Sequence, residues 1–181
     1  MIELTSKKIA HLEQLGIQLY VFKKETNYEL LKVSSLNIRY GESVPKSKRR
    51  NGDVPLYASN GRTDFIDKYN AYENTVIFGC RGTLGNVFFS KKECFVLNTA
   101  FYITNFKNYS GLYFALKFNR GFTLYSSGAA QPQITIDAIK DAEIRIPLDE
   151  DLNYLLNCIS LHEEILDKLK KIKGILLSKY F

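Results

Sequence analysis

The last 33 residues of the chain, 149–181, constrain its fold more than any other stretch. They begin with three acids and are rich in lysine toward the other end, which is the charge order that a helix dipole favours. Their apolar residues alternate by three and four, the spacing of a heptad seam along one long helix. We expect this helix to pair as a coiled coil through Leu152, Leu155, Ile159, Leu166, Leu169 and Leu176.

Such a helix is too long to be covered by its own domain. At 1.5 Å per residue it is roughly 45 Å long, whereas a domain of about 120 residues is only some 30 Å across. An N-terminal helix over residues 3–24, with Ile9, Leu12 and Leu19 at helical spacing and a weakening Gly16, covers part of the apolar stripe. A partner chain is the more natural cover for the rest.

The middle of the chain predicts β-structure. Short runs rich in β-branched and aromatic residues alternate with turn signals that contain Gly, Asn and Asp. These runs cover residues 56–59, 75–79, 86–90, 94–98 and 100–104. Several short strands separated by tight turns indicate a β-rich body.

Two further elements complete the predicted fold. Residues 110–118 favour a short helix, and "DAIKDAEIRIP" predicts a helical turn capped by Asp137 and a closing strand that ends at Pro147. The fold class is therefore α+β. We expect three regions: an N-terminal helix (1–25), a β-rich domain (26–148) and the long helix (149–181).

The stretch "TVIFGCRGTLGNVFFS", residues 75–90, has the glycine spacing of a phosphate-binding loop. A nucleotide-binding loop of that kind connects a strand to a helix, whose N-terminal amides hold the anion. Here both flanks predict strands, and the GxxxxGK[ST] pattern is missing. We therefore interpret the stretch as a hairpin whose glycines provide positive φ, with Arg81 at its rim.

The net charge of +6 is concentrated in the middle of the chain. Residues 26–148 hold 16 Lys and Arg against 10 Asp and Glu, an excess of six, while the two flanking regions nearly cancel. A basic domain beside a neutral helix is typical of a nucleic-acid-binding protein. A basic protein without a polyanionic partner stays open as the alternative.

No combination of residues predicts an active site or a bound metal. The three cysteines form no CxxC pair, and His11 and His162 each lie on a predicted helix without a second ligand nearby. No [ND]PP[YFW] loop of a DNA methyltransferase is present, and "DAEIR" (141–145) lacks the acidic partner that a metal-dependent nuclease needs. We expect a non-enzymatic protein without cofactors. Reduced thiols, no run of 18 apolar residues and no secretory signal favour the cytoplasm.

The order of motifs resembles one known family. "RYGESVPKSKRRNGDVPLYASNGRTDFIDKYN" is followed by "ENTVIFGCRGTLGNVFFSKKECFVLNTAFYI", then by "SSGAAQPQITIDAIKDAEIRIPL" and the long helix. This order is similar to the specificity subunit of type I restriction–modification systems, which has target recognition domains and long spacer helices. The chain resembles half of such a subunit, with one target recognition domain and one helix.

The resemblance implies a function and partners. It implies recognition of one half of a bipartite double-stranded DNA site, with two copies joined through antiparallel helices. Methyltransferase (modification) subunits, and restriction subunits where present, would dock on the protein and perform the chemistry. S-adenosylmethionine, ATP and magnesium would bind to those subunits rather than to this chain.

The candidate DNA-binding residues lie in predicted loops and turns. We expect phosphate contacts from the run "PKSKRRNG" and contacts to base edges from the turn "SNGR". Arg81 suits a phosphate or a guanine edge, with a buried ion pair at the turn as an equal alternative. For the lysines of "KKE", at the end of a predicted hairpin, exposure to solvent is the simplest interpretation and phosphate contact is the second. The full set is Lys46, Lys48, Arg49, Arg50, Asn60, Arg62, Arg81, Lys91 and Lys92.

Two other functions remain open at this point. The chain could be a recognition domain split from a methyltransferase–nuclease fusion, which keeps DNA binding but needs no homodimer. It could also be a protein-interaction module that works through its C-terminal helix, with incidental positive charge. For Gln131 and Gln133 we expect a structural role rather than base readout.

Overall fold

The computed structural model describes residues 1–22 and 27–180 and shows an α+β fold. Its helices are α1 (Ile2–Phe22), α2 (Tyr109–Phe118), α3 (Ile136–Ile139) and α4 (Glu150–Tyr180). The last two residues of the predicted N-terminal helix, the expected boundary after residue 25, and Phe181 lie outside the described residues. Within the described ranges, no helix is both long and apolar enough to cross a membrane.

In the described part of the chain nine strands form three small sheets, and every β-rich run named from the sequence overlaps one of them. The strands are β1 (Tyr28–Lys32), β2 (Arg39–Tyr40), β3 (Val54–Ala58), β4 (Gly61–Ile66), β5 (Thr75–Gly79), β6 (Val87–Ser90), β7 (Phe95–Val96), β8 (Ala100–Ile103) and β9 (Glu143–Pro147). Their order is β2-β8-β5-β6 in one sheet, β4-β3-β7 in the second and β1-β9 in the third. Strands β1, β2 and β4 were not predicted.

The four-stranded sheet is buried on both faces. In its central strand β5, Val76 and Phe78 belong to the cluster that includes α2, whereas Ile77 belongs to the cluster with Tyr57 and Val96 of the three-stranded sheet. Successive strand residues point to opposite faces, so one short apolar run covers two layers of core. The domain is therefore layered: helices, the four-stranded sheet, then the three-stranded sheet.

Helix α1 packs closely against α2. A Cβ atom at Gly16 would overlap the ring of Phe114, so the glycine that weakens the helix in isolation permits this contact. Glu13 ties the same two helices together: it accepts a hydrogen bond from the Tyr113 hydroxyl at 2.7 Å and pairs with Lys117 at 2.7 Å. Helix α1 is thus part of the core rather than an appendage.

Helix α4 corrects the predicted pairing seam. Leu152, Leu155 and Ile159 are buried in the chain's own core, together with Leu156, because α1, α2 and the sheets cover this face. They are not free to contact a second chain. Of the other predicted pairing residues, Leu166 and Leu169 are half-buried and Leu176 is exposed.

One helix cap also differs from the prediction. Thr135, not Asp137, caps α3: its hydroxyl accepts a hydrogen bond from the Ala138 amide at 3.2 Å. Asp137 lies in the first turn, where its carboxylate is 3.4 Å from the ammonium of Lys140. The helix begins two residues earlier than the sequence indicated, and a threonine hydroxyl can cap a helix as a carboxylate does.

Candidate nucleic-acid interface

Four connecting segments meet at one end of the two larger sheets. We call this surface the loop end. It consists of the β3–β4 turn, the β5–β6 loop, the β7–β8 turn and the segment between α2 and α3, which are residues 59–60, 80–86, 97–99 and 119–133. Because the strands that carry these segments are buried and hydrogen-bonded, the loops are held on a rigid base.

Backbone contacts hold the four segments together. The amides of Cys80 and Arg81 both donate to the Thr99 carbonyl, at 2.9 and 3.1 Å. The Ser59 amide donates to the Thr99 hydroxyl at 3.2 Å, which joins the β3–β4 turn to the same point. Gln133 forms backbone bridges to Arg81 and to Ser127, so the last segment is fastened to the β5–β6 loop.

The β5–β6 loop confirms the predicted hairpin. Strands β5 and β6 pair antiparallel from Thr75↔Ser90 to Phe78↔Val87, and no helix follows the loop. Gly82 and Gly85 have φ of +73° and +83°, a region that L side chains rarely adopt. The glycines therefore shape a turn that presents Arg81, as the sequence predicted.

The loop end combines arginine and amide side chains without an acid. None of the four segments contains Asp or Glu, although Glu42 lies beside the surface and accepts the Asn98 amide through its backbone carbonyl. Such side chains donate to, and in the case of amides also accept from, the edges of bases in the major groove. The exposed arginine and amide side chains are those of Asn60, Arg81, Asn86, Asn98, Arg120, Gln131 and Gln133.

Asn60 and Arg81 lie on segments that meet at Thr99, whose hydroxyl accepts from the Ser59 amide and whose carbonyl accepts from the Arg81 amide. Arg81 is exposed, and within residues 1–22 and 27–180 no ion pair involves it. Sequence reasoning missed Asn98 and Arg120 as candidates. Asn98 is the last residue of the predicted run 94–98, and Arg120 lies two residues after the predicted helix 110–118. A search for polar residues at the ends of predicted elements would have found both.

Three other candidates lie on a different surface, which we call the helix face: the side of β3, β4 and β6 that α4 covers. Arg62 forms an ion pair with Asp167 of α4, and its guanidinium lies 5.5 Å from the centre of the Phe65 ring. Lys91 donates to the Asn157 side chain at 3.4 Å. The prediction that Arg62 reads base edges is therefore wrong for this conformation, because α4 supplies its partner.

A polar cavity of about 300 Å³ separates the strands from α4 on the helix face. Its lining includes Lys92, Tyr57, Arg62 and Glu163. Burial, and to a smaller extent the nearby Glu13 carboxylate, raises the pKa of Glu163 to about 7, although Lys117 and Arg62 oppose the shift. Burial likewise raises the pKa of Tyr57 well above its ordinary value. The helix face is an internal polar junction rather than an open basic surface.

The basic run forms a third group. Residues Lys46–Lys48 make one 3₁₀ turn, and Lys48 and Arg50 line a shallow depression with Lys68 and Asp67. The run precedes the start of β3, whereas Asn60 follows its end, so five strand residues or about 15 Å separate them. Arg49 donates to the Val44 carbonyl at 3.3 Å, and Lys46 is exposed. The nine predicted residues thus occupy three places.

The described residues offer no evident metal site. Among residues 1–22 and 27–180, no group of three His, Cys, Asp or Glu side chains is placed to hold an ion. The geometry of the loop end instead suits hydrogen bonding to an anionic, base-bearing partner.

Comparison with known proteins places this geometry in context. A sequence model of the family described as "Type I restriction modification DNA specificity domain" matches residues 22–176. No curated protein sequence gives a significant match. The fold is similar to three solved structures, each less than 25% identical in sequence.

The first is the S subunit of a type I restriction-modification system from M. genitalium, with a TM-score of 0.64 and 20% identity over 85% of this chain and 44% of that one. The second is the HsdS subunit from Thermoanaerobacter tengcongensis, with a TM-score of 0.53 and 14% identity over 94% and 48%. The third comes from a study of complex assembly of the type I R-M system, with a TM-score of 0.57 and 12% identity over 98% and 50%. The chain spans about half the length of each.

Proposed function

Because the chain belongs to the type I restriction modification DNA specificity domain family, we propose that it recognises double-stranded DNA in a sequence-dependent way through the loop end. The observation that carries the proposal is the acid-free surface around the exposed Arg81. Anionic DNA is attracted to such a surface, and a neighbouring carboxylate would oppose it.

Within this proposal the two kinds of side chain have different tasks. Arg81 has the fork geometry that binds guanine O6 and N7, and Asn60 can pair with an adenine edge. The basic depression around Lys48 and Arg50 supplies phosphate contacts, which position the protein but carry no sequence information. Lys91 and Lys92 contribute less, since they belong to the helix face.

We propose further that one chain reads one half-site and that two chains form a homodimer. The support is a second apolar stripe on α4, which the buried seam leaves free. Its residues are spaced by three, four or seven positions. At 100° per residue they lie on the side of α4 opposite Leu152 and Ile159. All are at least 40% exposed: Tyr154, Leu161, Ile165, Ile172 and Ile175. We call it the outward stripe.

An antiparallel partner suits the charges of α4. Its acids lie in residues 149–167 and its lysines in residues 168–179, so an antiparallel copy sets opposite charges against each other. Two linked half-sites also raise the affinity for a bipartite site through effective concentration. The outward stripe, rather than the predicted seam, is therefore the proposed dimer contact.

The proposal assigns no reaction to this chain. Modification subunits, and restriction subunits where present, would dock on it and carry out methylation and cleavage with their own cofactors. The two alternative functions make different predictions: a split recognition domain binds DNA as a monomer, and a protein-interaction module shows no DNA preference.

The test is a selection from a pool of duplexes with about 20 random base pairs, carried out with the chain alone and together with any modification subunits encoded beside it. We expect enrichment of a two-fold symmetric, bipartite motif. Enrichment of nothing in both experiments would overturn the proposal. A single asymmetric motif would retain DNA recognition but reject the homodimer.

A further inference from the structure

The loop end contains a strained segment that the proposed polar contacts do not explain. Arg120, Gly121 and Phe122 have consecutive φ values of +48°, +55° and +62°. Residues other than glycine seldom adopt this left-handed conformation, which is strained and persists only where the surrounding structure enforces it. The surrounding structure therefore holds residues 120–125 in a specific shape.

Phe122 anchors the segment. Its side chain is only 3% exposed, and its ring centre lies 6.2 Å from that of Phe78 and 6.2 Å from that of Tyr125. Gly121 lies beside Phe78 and Gly85, and a Cβ atom at Gly85 would come within 3.1 Å of the Thr123 side chain. The segment is thus fixed both to the sheet and to the loop that presents Arg81.

The consequence of this anchoring is the position of Leu124. It is 94% exposed, more than any other large apolar side chain in the described part of the chain. An isolated exposed leucine is ordinary on a protein surface. This one, however, extends from a strained and anchored segment, and the polar side chains of the same surface are Arg and amides without a carboxylate.

We propose that Leu124 determines specificity at one base pair by apolar contact with a thymine methyl group. The major groove carries one apolar feature, the C5-methyl of thymine, beside the donors and acceptors that Arg and amide side chains read. An exposed leucine two residues after the buried Phe122, among such side chains, is suited to that methyl group. This inference rests on the proposed function and adds an apolar base contact to the polar ones.

The test replaces each thymine of the selected duplex with deoxyuridine, which removes only the methyl group. For the wild-type chain, one replacement should weaken binding about fourfold, the value of one buried methyl group. Leu124→Ala should bind the thymine duplex about as weakly as the wild-type chain binds that deoxyuridine duplex, and should not respond to the replacement. Leu30→Ala, at another exposed leucine on β1, is the matched control and should respond like the wild-type chain.

The outcomes separate the two proposals. If no motif is enriched, the proposed function fails. If a motif is enriched but Leu124→Ala responds to every deoxyuridine replacement as the wild-type chain does, DNA recognition stands and the role of Leu124 is rejected. Uniform weakening by Leu124→Ala at all sequences would also reject it, because a methyl contact acts at one base pair.

Discussion

Arg62 and Arg81 both lie beside a glycine near the connection between two antiparallel strands, yet they have opposite surroundings. Arg62 faces α4 and pairs with Asp167 across the helix face. Arg81 lies in the loop end, where none of the four segments contains an acid. This difference shows that the role of an arginine depends on which acidic residue the fold places beside it, more than on the turn next to it.

The same contrast extends to the two surfaces as wholes. The helix face joins β-strands to α4 through the contacts of Arg62 with Asp167 and of Lys91 with Asn157. The loop end is held together by backbone hydrogen bonds and leaves its side chains exposed. We therefore expect substitutions on the helix face, or between the helices, to change stability and substitutions at the loop end to change DNA binding.

The largest effect should come from the tight contact between α1 and α2. Gly16→Ala places a Cβ atom inside the ring of the buried Phe114, so the free energy of unfolding should fall by about 2–3 kcal/mol. Gly174→Ala is the matched control, since nothing lies within 4 Å of a Cβ there and alanine favours helix, so stability should rise by about 0.5–1 kcal/mol. Urea denaturation measures both. Equal changes in the two variants would contradict the account.

The two arginines themselves give the next largest effect. Arg81→Ala should weaken binding to the selected duplex by about ten- to thirtyfold, as the loss of a bidentate base contact does, with no change in stability. Arg62→Ala should leave DNA affinity within about twofold but lower the free energy of unfolding by about 1 kcal/mol, because Asp167 loses its partner. Fluorescence anisotropy measures the DNA affinity of the two variants, and denaturation measures their stability. A reversal of the two patterns would refute the comparison.

The helix face should also show a pH dependence that the loop end lacks. The pKa of Glu163 is raised from 4.5 to about 7 by burial, so the folded state holds its proton more tightly than the unfolded state does. Stability should therefore fall as pH rises from about 4.5 to 7.

Glu163→Gln should remove this dependence. The variant should match the wild-type chain near pH 4.5 and exceed its free energy of unfolding by about 1–3 kcal/mol at pH 8. Denaturation at several pH values measures the difference. A constant offset between the two proteins across this range would show that Glu163 does not titrate there.

The smallest effect concerns salt. Each phosphate neutralised contributes about one unit to the slope of log affinity against log salt concentration. Arg50→Ala, in the basic depression, should reduce that slope by about one, whereas Lys91→Ala, on the helix face, should leave it unchanged. Titrations at four salt concentrations would resolve a difference of this size. A slope that is reduced in Lys91→Ala but not in Arg50→Ala would mean that the phosphate contacts lie on the helix face, which would contradict this account.

Much of the fold could be predicted from local pattern. The run 75–79 is apolar, bounded by turn residues and fully buried as β5, and residues 110–118 contain nearly the whole of α2. The glycine hairpin was also predictable, because its backbone requirements are local. Arg81 was identified through that turn.

The remainder depended on contacts between distant parts of the chain. Helix α4 has apolar residues on two opposite faces, and its spacing alone did not show which face α1 and the sheets would cover, so Leu152 and Ile159 were assigned to the wrong partner. Arg62 was misassigned because Asp167 lies far away in sequence. The exposed Leu124 gave no periodic signal at all, since its position follows from the backbone of Arg120 to Phe122.

The most direct test of the central claim is amide hydrogen exchange of the chain with and without the selected duplex, measured by mass spectrometry. The account predicts slower exchange in the peptides of the loop end, residues 59–60, 80–86, 97–99 and 119–133, and little DNA-dependent change along residues 161–178 of α4. Protection along α4 or around Lys91, with none in the loop end, would contradict it.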